Sequence, residues 1–216
     1  MHEKFIILNY NTEKFPFKEI LEKNVFKIPK LNELHHVWRK QTGNNELTYN
    51  DNLILRKLMQ RLPDEALFYK VYHRWIARVI AIHYANKISY SAHPKMRVHL
   101  AGTGSVSDFH RDAKVTDRLD QINCYLPFTD VFEGSTLWCE TDYGSEEYTP
   151  INLKYGQALL WDGGMLKHGT YKNDTSNARV SCDLRFHPKK PDKVNKPWDS
   201  ILLGRKTQSI TPNKRH

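Results

Sequence analysis

The hydrophobic period of this chain changes near Ile88, and that change limits what it can fold into. Before it, apolar residues recur at helical spacing in "FKEILEKNVF" (17–26), "LNELHHVWRK" (31–40), "NDNLILRKLMQRL" (50–62) and the long "DEALFYKVYHRWIARVIAIHYA" (64–85). Pro63 precedes the long run, and Asp64 with Glu65 suit the positive end of a helix dipole. After Ile88 short runs follow one another, separated by Gly, Asp, Asn and Pro: "MRVHL", "DFHRD", "QINCYLPF", "STLWCE", "PINLKY", "QALLW", "LKHGTY" and "RVSCDLRF". About eight strands in roughly ninety residues describe a β-sandwich or barrel. In the last run Val180, Cys182 and Leu184 fall on one face, and Arg179, Ser181, Asp183 and Arg185 on the other. The expected fold is mainly β with N-terminal helices. A helical layer over residues 1–90 packs on a jelly-roll core over 91–187, in one domain, with a basic tail over 188–216.

A chain of 216 residues is long enough for one well-buried core and short for two. Hydrophobic residues make up 39% of it, which argues against disorder. The run Phe5 to Leu8 is too short for a signal peptide, and no stretch is apolar enough to span a bilayer. Cys124, Cys139 and Cys182 are an odd number, widely spaced, with no C-x-x-C pair. They read as buried thiols in a reducing cytoplasm rather than a disulfide framework or a zinc ribbon. Asn173-Asp174-Thr175 matches a glycosylation sequon, which without a secretory signal carries no meaning. The tail holds eight Lys/Arg against Asp192 and Asp199, so +6 of the net +9 lies there. Its one aromatic is Trp198 and no recognition motif accompanies it, so it reads as a solvated arm and not a nucleic-acid site.

His-x-Asp occurs once, as His110 and Asp112 in "FHRD"; every other histidine lacks an acid two residues on. A triplet so short arises by chance about once in a chain of this composition, so its meaning depends on what stands downstream. On a strand, residues two apart share a face, which would set an imidazole and a carboxylate side by side. Downstream, "WDGGMLKHGT" (161–170) returns His168, bracketed by Gly169. Two histidines and one carboxylate on one face of a metal leave three positions free. That suits Fe(II) oxygen chemistry, where a bidentate co-substrate and O2 bind together, and it needs neutral imidazoles. A 2-oxo acid co-substrate has a far carboxylate, for which the planar fork of arginine is the best partner. Arg179 stands eleven residues beyond His168, with Ser181 on the same strand face. Arg185 shares that face and competes for the role, while Asp183 offers Arg179 a structural partner instead. His35, His36, His73 and His83 lack one-turn pairing and read as core or surface histidines. "HRD" also opens the protein-kinase catalytic loop, but the Gly-rich loop and the D-F-G triplet are missing.

In order, "H-x-D", "N-x-Y-L-P-F-T", "G-S-T-L-W", "Y-G-Q-A-L-L-W-D-G-G-M-L-K-H-G" and "N-x-x-x-x-x-R-V-S-x-D-L-R" resemble the Fe(II)/2-oxoglutarate-dependent oxygenases. Within these the chain is most similar to the phytanoyl-CoA-dioxygenase-like group, in its streptomycin-biosynthesis-type branch. The resemblance covers about Met96 to Phe186. It implies a double-stranded β-helix (a cupin-like, distorted jelly roll) using Fe(II), 2-oxoglutarate and O2. It further implies a metal triad of His110, Asp112 and His168, and a 2-oxoglutarate arginine at Arg179, with Asn123 and Tyr125 as polar contacts. Related halogenating enzymes carry a small residue in place of the metal carboxylate. The presence of Asp112 therefore implies hydroxylation or another oxidation, with 2-oxoglutarate decarboxylated to succinate.

Trp138 and Arg97 are candidate walls of a small-molecule pocket, by strand alternation. The acidic cluster Glu140, Asp142, Glu146 and Glu147 follows a predicted core strand and hints at a cationic or sugar-like substrate. Other uses of the same barrel stay open at this level: a metal-binding cupin-like isomerase, a catalytically silent binding module, or a hydroxylase or demethylase of a macromolecule. No membrane partner is expected, and oligomeric state is not legible.

Overall fold

The computed structural model describes residues 4–84, 88–117 and 121–188. The basic tail, Trp198 included, lies outside the described residues. The chain begins with strand β1 (Phe5–Asn9), then α1 (Phe17–Ile20), which runs on into a π-helical turn (Leu21–Phe26). A 3-10 turn (Leu31–Glu33) opens α2 (Leu34–Thr42), and α3 (Tyr49–Gln60) follows. Helix α4 (Leu67–Trp75) continues through a π-helical turn (Ile76–Ile80) and a 3-10 turn (Ala81–Tyr84). Then come β2 (Ile88–Tyr90), β3 (Lys95–His99), the one-turn helix α5 (Asp112–Thr116), β4 (Ile122–Pro127), β5 (Trp138–Glu140), β6 (Tyr148–Pro150), β7 (Gln157–Trp161), β8 (His168–Gly169) and β9 (Arg179–Pro188).

Among the described residues the strands form two antiparallel sheets. The larger has the order β1-β7-β4-β9-β2, with β3 also pairing β9; the smaller is β6-β5-β8. Strand parity decides what each face of the large sheet does. Met96, Val98, Cys124, Leu126, Leu160, Val180, Cys182, Leu184 and Phe186 point to one side and join the helices' Phe17, Leu21, Phe68, Tyr72 and Trp75 in the main core. The opposite face looks into the jelly roll. There Tyr125, Leu159 and Trp161 meet Leu137, Cys139, Ile151 and Leu166 in a second apolar cluster. The other side chains on that face are polar, and this polar strip carries the site. The architecture is a double-stranded β-helix with an N-terminal helical layer.

The helical layer is fixed by local chemistry as well as by burial. Thr48 and Asp51 form a reciprocal capping box at α3, and Asp51 also accepts from Trp38 Nε1 at 2.8 Å. Asn52 of α3 accepts from Leu100 N at 2.8 Å and donates to Thr103 Oγ1 at 2.9 Å, so helix and sheet are joined at the end of β3. All three cysteines are buried and free, as expected. Other expectations need correction. Phe5–Asn9 and Ile88–Tyr90 are sheet strands inside the segment assigned to helices. The first is a continuous apolar run without alternation and the second is only three residues long, which hides them in the sequence. "PINLKY" supplies only the end of β6 and an isolated bridge from Leu153 to Val131. Asp64 and Glu65 precede α4 instead of starting it, and Asp64 pairs with His93 at 2.9 Å.

Candidate active site

"FHRD" is not a strand. His110 forms an isolated bridge to His168, and Asp112 opens α5. The two side chains meet at a turn into a helix, not by strand parity. What holds them is a zipper between this segment and the 162–168 loop. His110 N donates to His168 O at 2.9 Å, and His168 N to His110 O at 2.9 Å. Asp112 N donates to Gly163 O at 2.9 Å and Ala113 N to Gly164 O at 3.2 Å. Arg111 closes the seam: its Nε donates to Met165 O at 2.9 Å, and its terminal nitrogen reaches both Glu140 carboxylate oxygens at 2.8 and 3.0 Å. Glu140 is wholly buried and also accepts from Lys167 N at 2.7 Å. The approach is so close that a β-carbon on Gly169 would meet the Phe109 ring at 2.8 Å and its Cα at 2.9 Å.

His110, Asp112 and His168 can each offer a ligand atom, and these atoms lie within 4.8 Å of one another. No other such group of three occurs among the described residues. In both histidines Nδ1 donates to a backbone carbonyl, Asp108 O at 2.7 Å and Leu166 O at 2.9 Å. That fixes the tautomer and leaves the Nε2 lone pair for a metal. Asp112 is held from behind. Arg185 grips both its oxygens, from Nε at 2.9 Å and from a terminal nitrogen at 2.6 Å, and Asn123 donates to Oδ2. Burial opposes ionisation of Asp112, but His110, His168 and Arg185 outweigh it and hold the carboxyl well below the usual range. His168 is pushed down by burial, whereas the Asp112 carboxylate, 3.4 Å from His110 Nε2, raises His110.

A cavity of about 880 Å³, counted with its open mouth, joins the triad to the polar face of the large sheet. Arg179 lies in its wall and is only 3% exposed. It makes no ion pair among the described residues, and its Nε has no hydrogen-bond partner. A buried guanidinium without an anion is costly, so the cavity is built to receive one. Asp183 does not neutralise it, because Arg97 takes Asp183 at 2.8 Å. Tyr125, also buried, lines the same space with its hydroxyl beside Thr136 and Ser181, and burial raises its pKa.

Of the residues singled out in the sequence, His110, Asp112, His168, Asn123, Tyr125, Arg179 and Arg97 line this cavity. Asn123 stands at the triad carboxylate rather than beside Arg179. Ser181 shares the face and is wholly buried, but it does not line the cavity. Trp138 is a correction. Its neighbour Cys139 points inward, so Trp138 points outward, packing on Tyr171 and donating to Glu133 O at 2.9 Å. The acidic cluster is a second correction, since none of its four residues lines the cavity. Glu140 binds Arg111, Asp142 binds Lys4 at 2.6 Å, and Glu146 lies 3.9 Å from Lys167. Sequence reasoning missed Arg111, although its place between two ligands was the available signal.

No protein-family model matches the chain. The streptomycin biosynthesis protein StrG of Streptomyces griseus is 28% identical over 180 residues, covering 72% of this chain and 84% of that protein. Among solved structures, EctD from S. alaskensis in its apo form aligns with a TM-score of 0.54 at 15% identity, over 91% of this chain and 79% of EctD. The nickel complex of the non-haem monooxygenase ThoJ aligns with a TM-score of 0.52 at 11% identity, over 95% of this chain and 94% of ThoJ. The likeness is one of fold, shared with EctD and this non-haem monooxygenase, and it agrees with the resemblance of the sequence to the Fe(II)/2-oxoglutarate-dependent oxygenases. The residues present fit the cofactors of that superfamily. Two imidazoles presenting Nε2 and one ionised carboxylate would make a donor set for Fe(II) that leaves positions for a bidentate 2-oxo acid and O2. Arg179, without an ion pair among the described residues, and the Tyr125 hydroxyl fit a carboxylate.

Proposed function

We propose that this oxygenase hydroxylates a small molecule at a C–H bond, consuming O2 and 2-oxoglutarate and releasing succinate and CO2. The observation that carries the reading is Arg179, a buried cation without a partner in the wall of the same cavity as His110, Asp112 and His168. In this reading the three ligands hold Fe(II), and Arg179 takes the far carboxylate of 2-oxoglutarate, assisted by the Tyr125 hydroxyl. When bound, iron and 2-oxoglutarate supply the oxidising power: O2 is reduced as the co-substrate loses CO2 and a substrate C–H becomes C–OH. The chain's part is orientation. Arg185 and Asn123 keep the Asp112 carboxylate ionised and fixed, and the two backbone carbonyls hold each imidazole proton on Nδ1, so that Nε2 is the atom turned to the metal. Leu137 and Trp161 line an apolar side of the cavity that restricts water around the reacting centre. Likeness to StrG, a streptomycin biosynthesis protein, supports a substrate drawn from small-molecule metabolism.

The test is anaerobic. Fe(II) and then 2-oxoglutarate, added to metal-free protein, are expected to give the visible charge-transfer band of a chelated Fe(II)–2-oxo acid. His110→Ala and Asp112→Ala should abolish the band, and Arg179→Ala should raise the 2-oxoglutarate concentration needed for it by tenfold or more, the loss of about one charged bidentate contact. A folded, iron-loaded parent with no band would end this reading.

A further inference from the structure

The charge lining the cavity exceeds what iron and 2-oxoglutarate use. Four permanent cations, Lys95, Arg97, Arg179 and Arg185, face two carboxylates, Asp112 and Asp183. Arg185 is committed to Asp112 and, on the reading above, Arg179 to 2-oxoglutarate. A metal dication and a co-substrate dianion cancel each other, so the cavity keeps a net charge of +2. Arg97 of β3 shares its charge with Asp183, while Lys95 on the same strand is offset by no ion pair among the described residues. Lys95 and Arg97 stand two residues apart on the strand face that looks into the cavity, about 6.7 Å between α-carbons. Arg97 uses only its Nε on Asp183, and its terminal nitrogens make no hydrogen bond among the described residues. Lys95 lies directly across from Asp183 in the strand register, yet makes no ion pair among the described residues. The positive field of Arg97 lowers the Lys95 pKa, with burial adding to it.

Resting on the proposed oxygenase function, we infer that the substrate is an anion, and that its phosphate or carboxylate is held between Lys95 and Arg97 at the mouth of the cavity. The geometry is a fork and a point charge on one strand, aimed at the space above the triad. A group anchored there leaves the rest of the substrate to reach inward, toward the exposed edge of His110. A cationic substrate would instead meet a like-charged rim, and the acidic residues that suggested one are held elsewhere.

The experiment uses full-length protein loaded with Mn(II) in place of iron, plus 2-oxoglutarate, with inorganic phosphate and acetate as separate probes. Paramagnetic broadening of the phosphate phosphorus or the acetate methyl signal reads whether the anion sits near the metal. Saturable broadening is expected, with apparent affinity about tenfold weaker in Lys95→Gln and weaker again in Lys95→Gln/Arg97→Gln, as for loss of a charged contact. The probe that saturates at lower concentration tells phosphate from carboxylate. Equal broadening in parent and Lys95→Gln would overturn the inference, because the anion would then be binding the metal or elsewhere. So would an Fe(II)–2-oxoglutarate band that itself weakens in Lys95→Gln, since Lys95 would then be holding co-substrate. A parent with a normal band and no anion effect sinks this inference alone. A parent with no band sinks the proposed function, and calorimetric titration of phosphate into metal-free parent and Lys95→Gln then decides the anion site by itself.

Discussion

At the level of single residues, the site depends on which groups are kept neutral and which are kept charged. His99 shows the neutral case. It is wholly buried opposite Arg179 in the β3–β9 pair, and its Nε2 donates to Gly104 O at 2.8 Å. Burial, helped by the positive charge of Arg179, pushes its pKa down to about 3. The unfolded chain binds that proton near pH 6.5, so between pH 6.5 and 3 the unfolded state holds more protons than the folded one. Stability is therefore fully present above pH 6.5 and is lost as pH falls through this window. His35, pushed down to about 4 by burial and by His36, acts in the same direction. Thermal unfolding of metal-free protein at pH 7.5, 6, 5 and 4 should show this decline. His99→Gln should flatten it by on the order of 2 kcal/mol, leaving the smaller His35 share. An unchanged acid limb in the variant would mean that His99 is not held neutral. The candidate triad of His110, Asp112 and His168, and with it Arg179, was legible in the sequence because these residues follow in order at readable spacing. Arg185 and Asn123 at Asp112 were not, because contacts across β4 and β9 follow from register, which local sequence does not carry.

At the level of elements, the deciding feature is how closely two irregular segments approach. Neither "FHRD" nor "DGGMLKHG" forms a long strand, yet their backbones bond reciprocally, and Arg111 stitches both to the buried Glu140. The sequence pattern suggested an alternating strand for the first, and His110 and Asp112 meet by a different geometry. Gly169 permits the approach: a methyl group there would press on the Phe109 ring and on its backbone Cα, which cannot swing away. Gly169→Ala should force β8 from the His110 segment, lower stability by about 1–3 kcal/mol as overpacking does, and weaken Mn(II) binding tenfold or more. Gly104→Ala is the control, because its β-carbon would meet nothing within 4 Å. Titrating Mn(II) by electron paramagnetic resonance reads both variants. Parent-like affinity in Gly169→Ala would show that the triad does not depend on this contact. Trp138 was misread at this same scale: alternation separates the two faces of a strand but does not say which one looks inward.

Across the whole molecule, the site is where the two sheets are joined. His168 comes from the small sheet, Arg179 and Arg185 from the large one, and His110 with Asp112 from the crossing between β3 and β4. Helices and large sheet share one apolar core, and the jelly-roll interior holds another. A metal with 2-oxoglutarate spanning from the triad to Arg179 would tie the sheets across the polar strip, and so should stabilise the fold as a unit. A ligand present at a hundred times its dissociation constant adds about 2.7 kcal/mol, which for a chain of this size raises Tm by roughly 5–10 °C. Mn(II) should produce such a rise in the parent, and 2-oxoglutarate a further one only when Mn(II) is present. In Asp112→Ala both increments should vanish, although Asp112 lies at the triad and 2-oxoglutarate's far carboxylate is assigned to Arg179. The metal-free variant should itself unfold at lower temperature, because Arg185 loses its bidentate partner. Differential scanning fluorimetry of the two proteins with each ligand separately and together measures all four quantities. A 2-oxoglutarate increment that survives in Asp112→Ala would place the co-substrate independently of the metal, held by Arg179 on the large sheet without joining the two sheets.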